Sequence, residues 1–267
     1  MARKSALINA MELSARKAAR KMLRDFNEVE HLQVSRKGPA DFVSQADLTA
    51  EATLREELGR LRPDYGFILE EGGVVEAKDG IHYWVVDPLD GTTNFLHGLP
   101  HFAISIAVKA GKEVIAGLVL DPVKDELFWA EKGQGSYMNE RRLRVSSRSR
   151  MTDCIFATGI PFNGVADHEK FLKELASVMA VSAGVRRYGA ASLDLAYVAA
   201  GRFDGFWERN LSEWDIAAGI IIAREAGALV SQLDGGERML EKGDILATNA
   251  GINGAMMEIF RKIRLGR

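Results

Sequence analysis

The chain has 267 residues, 47% of them hydrophobic and 27% charged, enough apolar material for a sizeable core inside a polar surface. A net charge of −2 excludes a whole-molecule field favouring nucleic acid or an anionic membrane. Cys154 is the only cysteine, so no intramolecular disulfide forms, which fits a reducing cytosol. The longest apolar run, Ile216 to Ala223, is too short to span a bilayer, and no apolar signal region follows the Met-Ala-Arg-Lys start.

Residues 5–26 carry a helical period. Leu7, Ile8, Met11, Ala15, Ala18 and Met22 share one face; Arg16, Lys17, Arg20, Lys21 and Arg24 share the other, read as a solvated face. In the stretch from Lys37 to Asp47, Gly38-Pro39 breaks regular structure and Phe42-Val43 is a short extended piece. Asp47 then stands where a residue would cap a helix through Leu61, with Ala50, Leu54 and Leu58 inward. Capping alone would account for this aspartate; a catalytic role is equally open. Gly66 to Glu71 reads as a short strand delivering Glu70 and Glu71 at its C-terminal end, where α/β ligand sites form, although Glu-Glu-Gly-Gly is also an ordinary turn.

The most informative stretch runs from Trp84 to Val108, WVVDPLDGTTNFLHGLPHFAISIAV. Trp84-Val85-Val86 predicts a buried strand stopping at Asp87, because proline cannot continue a central strand. Asp87 and Asp90 lie three apart on one tight turn. Carboxylates that close repel, and one would take up a proton unless a cation is present. Oxygen donors without sulfur or imidazole nearby suit Mg²⁺ or Mn²⁺. Gly91 permits close backbone approach, and a short helix starting near it would aim free N–H groups at an anion. Carboxylates for metal beside amides for an anion describe a phosphate ester site; the competing reading is a polar β-turn.

Downstream, strands are predicted at Phe102 to Lys109, Val114 to Leu120, Glu126 to Glu131 and Ser136 to Met138, in antiparallel succession. Gly133-Gln134-Gly135 lacks the third glycine of a dinucleotide fingerprint. Arg141, Arg142, Arg144, Arg148 and Arg150 follow, read as a charged edge hairpin. Beyond residue 152 strands alternate with helices: strands at Cys154 to Thr158, Val185 to Tyr188, Phe203 to Glu208, Ala228 to Ser231 and Asp244 to Thr248. The helices are His168 to Met179, Ala191 to Ala200, Trp214 to Ala226 and one from Ile252. The helix from Trp214 is apolar nearly all round and therefore buried, with Asp215 in its first turn, where the helix dipole favours a carboxylate.

Together these motifs resemble the inositol monophosphatase family of Mg²⁺-dependent phosphatases. Residues 37–47, 66–71, 84–108 and 189–230 match in order and spacing, and D-P-L-D-G-T-T-N with W-D-I-A-A-G is specific. LPHFAISIAV, LDLAYVAAGR and KGQG place the resemblance in the bacterial extragenic suppressor branch. The resemblance implies a mixed α+β and α/β chain in the layered αβαβα sugar-phosphatase fold. Residues 1–150 would form an N-terminal α+β half with an antiparallel sheet and the metal and phosphate motif. Residues 151–267 would form a C-terminal α/β half, the two making one unit.

The resemblance also implies roles. Glu70, Asp87, Asp90, Asp215 and the Leu89 carbonyl would hold two or three Mg²⁺ ions, for which Mn²⁺ can substitute. Gly91 and Thr92 amides would hold phosphate, and Asp47, Thr92 and Glu70 would orient the attacking water. Gly189, Ala190 and Ala191 would form the pocket wall, Glu208 would grip inositol hydroxyls, and Lys37 would be an auxiliary group near the metals. Leu69 departs from the glycine that animal members carry before the glutamate, and the gap from Lys37 to Asp47 is one residue shorter.

Four carboxylates and a phosphate dianion cannot share a pocket without cations, and two cations can clamp attacking and leaving oxygens together. The expected activity is hydrolysis of inositol 1-phosphate and related polyol phosphates by a cytosolic, lithium-sensitive homodimer. Glu208 seven residues before Asp215, and a chain without insertions, favour this over a nucleotide 3′-phosphatase or fructose-1,6-bisphosphatase of the same superfamily. The resemblance to the bacterial branch implies a rival of another kind, a partner of Nus factors and RNA polymerase in transcription antitermination.

Overall fold

The structure, a computed structural model, describes residues 4–28, 34–38, 41–161 and 168–266, with side chains left out at 34–38 and 41–43. The elements in order are α1 (Ala6–Asn27), β1 (Val34–Gly38), β2 (Asp41–Ser44), α2 (Gln45–Leu61), β3 (Gly66–Leu69), β4 (Gly73–Val75), β5 (His82–Asp90) and α3 (Thr92–Leu96). Four antiparallel strands follow, β6 (Ala103–Ala110), β7 (Glu113–Asp121), β8 (Glu126–Glu131) and β9 (Gly135–Met138), then the two-residue β10 (Arg141–Arg142). The remainder is β11 (Ile155–Thr158), α4 (His168–Met179), β12 (Gly184–Arg186), α5 (Ala191–Ala199), β13 (Gly205–Glu208), α6 (Glu213–Glu225), β14 (Leu229–Ser231), α7 (Met239–Lys242), β15 (Ile245–Thr248) and α8 (Ala250–Arg264).

Two large sheets result. The first has eight strands in the order β10-β9-β8-β7-β6-β5-β3-β4, the second five in the order β12-β11-β13-β15-β14. Within the first, only β3 and β5 pair in parallel. The period-two alternation of β5 to β8 then assigns the layers. Trp84, Val86, Ile104, Ile106, Leu118 and Trp129 face α1 and α2. Val85, Ala107, Val119 and Phe128 point the other way, into a core shared with α5 and α6. That core continues onto Ala157, Phe206, Ile245 and Ala247 of the second sheet. The second sheet's opposite face, Phe156, Trp207 and Leu246, packs on Val178 of α4 and on Ile252, Met256 and Phe260 of α8. Helix, sheet, helix, sheet, helix: the αβαβα layering is present.

Helix α6 is the middle of the stack. Residues 216–223 are all buried, and each fully buried isoleucine among them contributes roughly 1.5–3 kcal/mol. Two glycines let it lie so close. A methyl group at Gly117 of β7 would come within 2.7 Å of the Ala218 carbonyl oxygen, and one at Gly219 within 2.5 Å of Leu195 Cδ1 on α5.

Two expectations about this frame need correction. Strand β5 does not stop at Asp87 but runs to Asp90, carrying Pro88 with it. Asp87 pairs with Ser105 and Asp90 with Ala103, so two residues oppose one and the ladder bulges there. A bulge leaves one backbone group out of the ladder, the one place in a sheet interior where proline is tolerated. Helix α2 is capped by Ser44, not Asp47; Asp47 is the third helical residue and closes a capping box. Strands β1 and β4 and helix α7 are absent from the sequence expectations.

Candidate active site

Five chain ends converge on one place. Strands β3 and β5 are parallel neighbours, with Leu69 opposite Val86, so Glu70 emerges beside Asp87; the Glu70 amide donates to Val86 O at 3.3 Å. The bulge keeps Asp87 and Asp90, both buried, at the end of β5. The N-termini of α2, α5 and α6 bring Asp47, Ala191-Ser192 and Asp215.

Asp47 and Asp215 arrive by the same device. Each is the third residue of its helix, and each carboxylate accepts the amide of a serine cap, Ser44 N at 2.8 Å and Ser212 N at 2.6 Å. Both boxes are legible as S-x-x-D, Ser44-Gln45-Ala46-Asp47 and Ser212-Glu213-Trp214-Asp215. Asp47 has a second partner: the Thr92 hydroxyl lies 3.1 Å from its Oδ1 and 3.0 Å from Leu89 O. A hydroxyl has one proton, so it serves one of these acceptors at a time. A helix-capping role and a contact with Thr92, which the sequence could not show together, therefore coexist at Asp47.

Burial raises the pKa values of the aspartates, and repulsion between them adds to this at Asp87 and Asp215. Burial pushes Asp87 well above the usual carboxylate range; the charges of Glu70, Asp90 and Asp215 push it further, and it shares a hydrogen bond with Glu70. Asp215 is pushed up by burial and then by Asp90, against the Ser212 amide that lowers it. Asp90 rises less, to about 6, because Ser192 donates to it through its amide, at 2.8 Å, and its hydroxyl. Asp47 is raised by burial in spite of its donors. Among the described residues no three His, Cys, Asp or Glu side chains close on a common point as a ready-made metal cage. The acids nevertheless stand in mutual electrostatic range with only oxygen donors on offer. Buried acids gathered against their own repulsion fit a hard divalent cation.

Beside them the chain turns at Gly91, which caps α3 with φ +95°. A methyl group there would meet His101 O at 3.2 Å and Gly189 O at 3.3 Å. Gly91 thus brings the start of α3 against the loop that carries Gly189. Glu208, at the end of β13, faces the same space. Burial raises its pKa to about 8, the Arg187 guanidinium pulls it down and Asp90 pushes it up. Gly159 makes room for it: a methyl group at Gly159 would lie 1.7 Å from Glu208 Oε1. The side chain of Lys37 lies outside the described residues.

Sequence reasoning passed over several residues here. Ser192 holds Asp90 and directly follows the expected wall, but serine in a helix's first turn has no distinctive signal. Asn94 sits inside the central motif and was given no role. Asp194 is buried, its Oδ1 has no hydrogen-bond partner among the described residues, and burial followed by Glu208 and Asp90 raises its pKa far above normal. A lone aspartate in an apolar helix was the available clue.

A sequence profile of the inositol monophosphatase family matches residues 3–264. The chain belongs to that family. An inositol-1-monophosphatase of Mesorhizobium japonicum is 54% identical over 259 residues, 97% of each chain. The Nus factor SuhB of Pseudomonas aeruginosa is 45% identical over 247 residues, 91% of each. The crystal structure of extragenic suppressor protein suhB from Bartonella henselae superposes with a TM-score of 0.94 at 50% identity, covering 97% of this chain and 99% of that one. The fold is therefore the family's layered fold, as expected.

Proposed function

We propose that this chain is a metal-dependent phosphomonoesterase that hydrolyses inositol 1-phosphate and related polyol phosphates. The observation that carries the reading is the convergence of Glu70, Asp87, Asp90 and Asp215 beside a glycine turn and the Asp47–Thr92 pair. The relatives named inositol-1-monophosphatase support the substrate. The ion is Mg²⁺, with Mn²⁺ able to replace it; these four acids and the Leu89 carbonyl hold two or three. When bound, the ions supply charge neutralisation and a lowered pKa for water.

The chain's own groups do the rest. Gly91 and Thr92 amides bind the phosphate. The Thr92 hydroxyl, backed by Asp47 Oδ1, orients water, and Glu70, beside Asp87 at the end of β3, helps take its proton. Glu208 keeps its proton at neutral pH while its pKa stays near 8, so it both donates to and accepts from a substrate hydroxyl. Gly189, Ala190 and Ala191 wall the pocket, and Lys37 assists near the ions. The protein works as a homodimer in the cytoplasm; no described helix is long and apolar enough to cross a membrane.

Phosphate release is the test, with and without Mg²⁺, from inositol 1-phosphate, glycerol 2-phosphate, fructose 1,6-bisphosphate and a nucleoside 3′-phosphate. Preference for the first, lost on chelation and inhibited by millimolar lithium, is expected. Preference for either of the last two moves the assignment elsewhere in the superfamily, and release unaffected by chelation removes it. A second reading, a partner role in transcription, draws on relatives named Nus factor SuhB and on Arg141 and Arg142, exposed on the edge strand β10.

A further inference from the structure

Asn94 joins the two sides of the pocket. Its side chain is buried, and its amide nitrogen donates twice, to His101 O at 2.8 Å and to Tyr188 O at 2.7 Å. Both partners are carbonyls, so the donor end of the amide is fixed by its surroundings and both N–H bonds are used. Its backbone oxygen also accepts Leu99 N at 2.8 Å. One residue of α3 therefore holds the loop leading to β6 and, 94 positions away in sequence, the loop leading to α5.

What lies between these bonds is the mouth of the site. Tyr188 immediately precedes Gly189, and Gly91 lies three residues before Asn94. Both glycines have positive φ, +95° at Gly91 and +85° at Gly189. There is no spare room: a methyl group at Gly91 would meet His101 O at 3.2 Å and Gly189 O at 3.3 Å, and one at Gly189 would reach Asn94 Nδ2 at 3.4 Å. The far end of the wall has its own anchor, the Ser192 amide and hydroxyl on Asp90. The near end has Asn94.

We infer that Asn94 is a positioning residue that fixes the gap between the phosphate end of the pocket, at Gly91 and Thr92, and the wall of Gly189 to Ala191, and so sets selectivity for ring-bearing phosphate esters over small ones. The inference rests on the proposed phosphatase reading. A phosphate ester is held at one end by its phosphate, which every substrate shares. Only a substrate with a body large enough to press on the wall senses where the wall stands. Releasing the near anchor lets the wall drift while Asp90, Asp215 and the Asp47–Thr92 pair keep their own hydrogen bonds.

The experiment uses the full chain with Mg²⁺ and compares wild type, Asn94→Asp and Asn94→Ser on inositol 1-phosphate and glycerol 2-phosphate. Asn94→Asp keeps the shape and loses both donors; Asn94→Ser leaves a small polar group that reaches neither carbonyl. KM for inositol 1-phosphate is expected to rise about tenfold to a hundredfold, the scale on which displaced positioning groups act. Turnover, and kcat/KM for glycerol 2-phosphate, are expected to stay within about threefold. The ratio between the substrates does not depend on the folded fraction, so partial unfolding does not mimic the effect. An equal loss on both substrates overturns the inference. So does failure of both variants to accumulate as folded protein, which would assign Asn94 to the fold. Wild type inactive on inositol 1-phosphate overturns the underlying reading instead.

Discussion

The two sides of this pocket are built on opposite principles. The acidic floor, Glu70, Asp87, Asp90 and Asp215, is crowded: burial raises the pKa of the three aspartates, and the charges of their neighbours raise Asp87 and Asp215 further. The wall, from Asn94 through Gly189 to Ser192, is held by short, paired hydrogen bonds. The floor crowds like charges, whereas the wall pairs donors with acceptors. Changes in the floor should therefore act on metal and turnover, and changes in the wall on substrate choice.

The largest break in that contrast is Asp90→Asn. It removes one floor charge and no volume. Turnover should fall by more than the roughly 10–100-fold typical of residues one shell away from a metal. The metal-free protein should lose no thermal stability at pH 8, because a repelled buried charge has gone. Near-full turnover in Mg²⁺ would sink the floor assignment. Glu70→Gln comes next: it should raise the Mg²⁺ concentration needed for half-maximal rate, and saturating Mg²⁺ should restore only part of the rate. Complete recovery would confine Glu70 to metal affinity and remove it from the water step.

Glu208 tests the wall side twice. Glu208→Ala should raise KM for inositol 1-phosphate more than for glycerol 2-phosphate, the lost bond between neutral groups being worth about 0.5–1.5 kcal/mol. Equal shifts on both substrates would remove it from hydroxyl recognition. Its raised pKa also makes a stability prediction. Between 4.5, its value in the unfolded chain, and about 8 in the folded one, the folded state holds the extra proton. Stability from this group is therefore full below pH 4.5 and declines as pH rises to about 8. Glu208→Gln should flatten that decline in metal-free melting curves. A wild-type slope unchanged by the substitution would mean that Glu208 ionises normally.

The smallest expected effect lies farthest from the pocket. Charge reversal at Arg141 and Arg142 should leave phosphatase turnover unchanged and weaken capture of a transcription partner in a salt-sensitive way. Asp90→Asn should do the reverse. Arginine reversals that bind like wild type would reduce β10 to a charged sheet edge.

Much of this was legible in the sequence because the informative signals are local. The α1 face and the β6 to β9 succession follow from periods of 3.6 and 2 within a few residues, and the burial of α6 from an apolar run with no polar face. Asp87, Asp90 and Gly91 announce themselves by chemistry crowded onto one turn. The rest is not local. Pro88 reads as a stop until β6 is present to bulge against. Asn94 and Ser192 get their meaning from partners 94 and 102 positions away, and no pattern in one segment encodes those bonds. Ser44 and Ser212 were readable from S-x-x-D spacing, which shows Asp47 and Asp215 to be one motif used twice.

The close approach of α6 to its neighbours sets a boundary on how this protein can be re-engineered. Randomised libraries that include Gly117 or Gly219 would spend most of their members on chains whose middle layer cannot seat, since even alanine meets backbone or a leucine branch below 3 Å at both. Because α6 also carries Asp215, a metal ligand in the proposed function, tolerated changes there should report as lost metal affinity before lost solubility. A programme seeking a hardier catalyst should therefore diversify the outer helices α1, α4 and α8, and leave the middle layer as it stands.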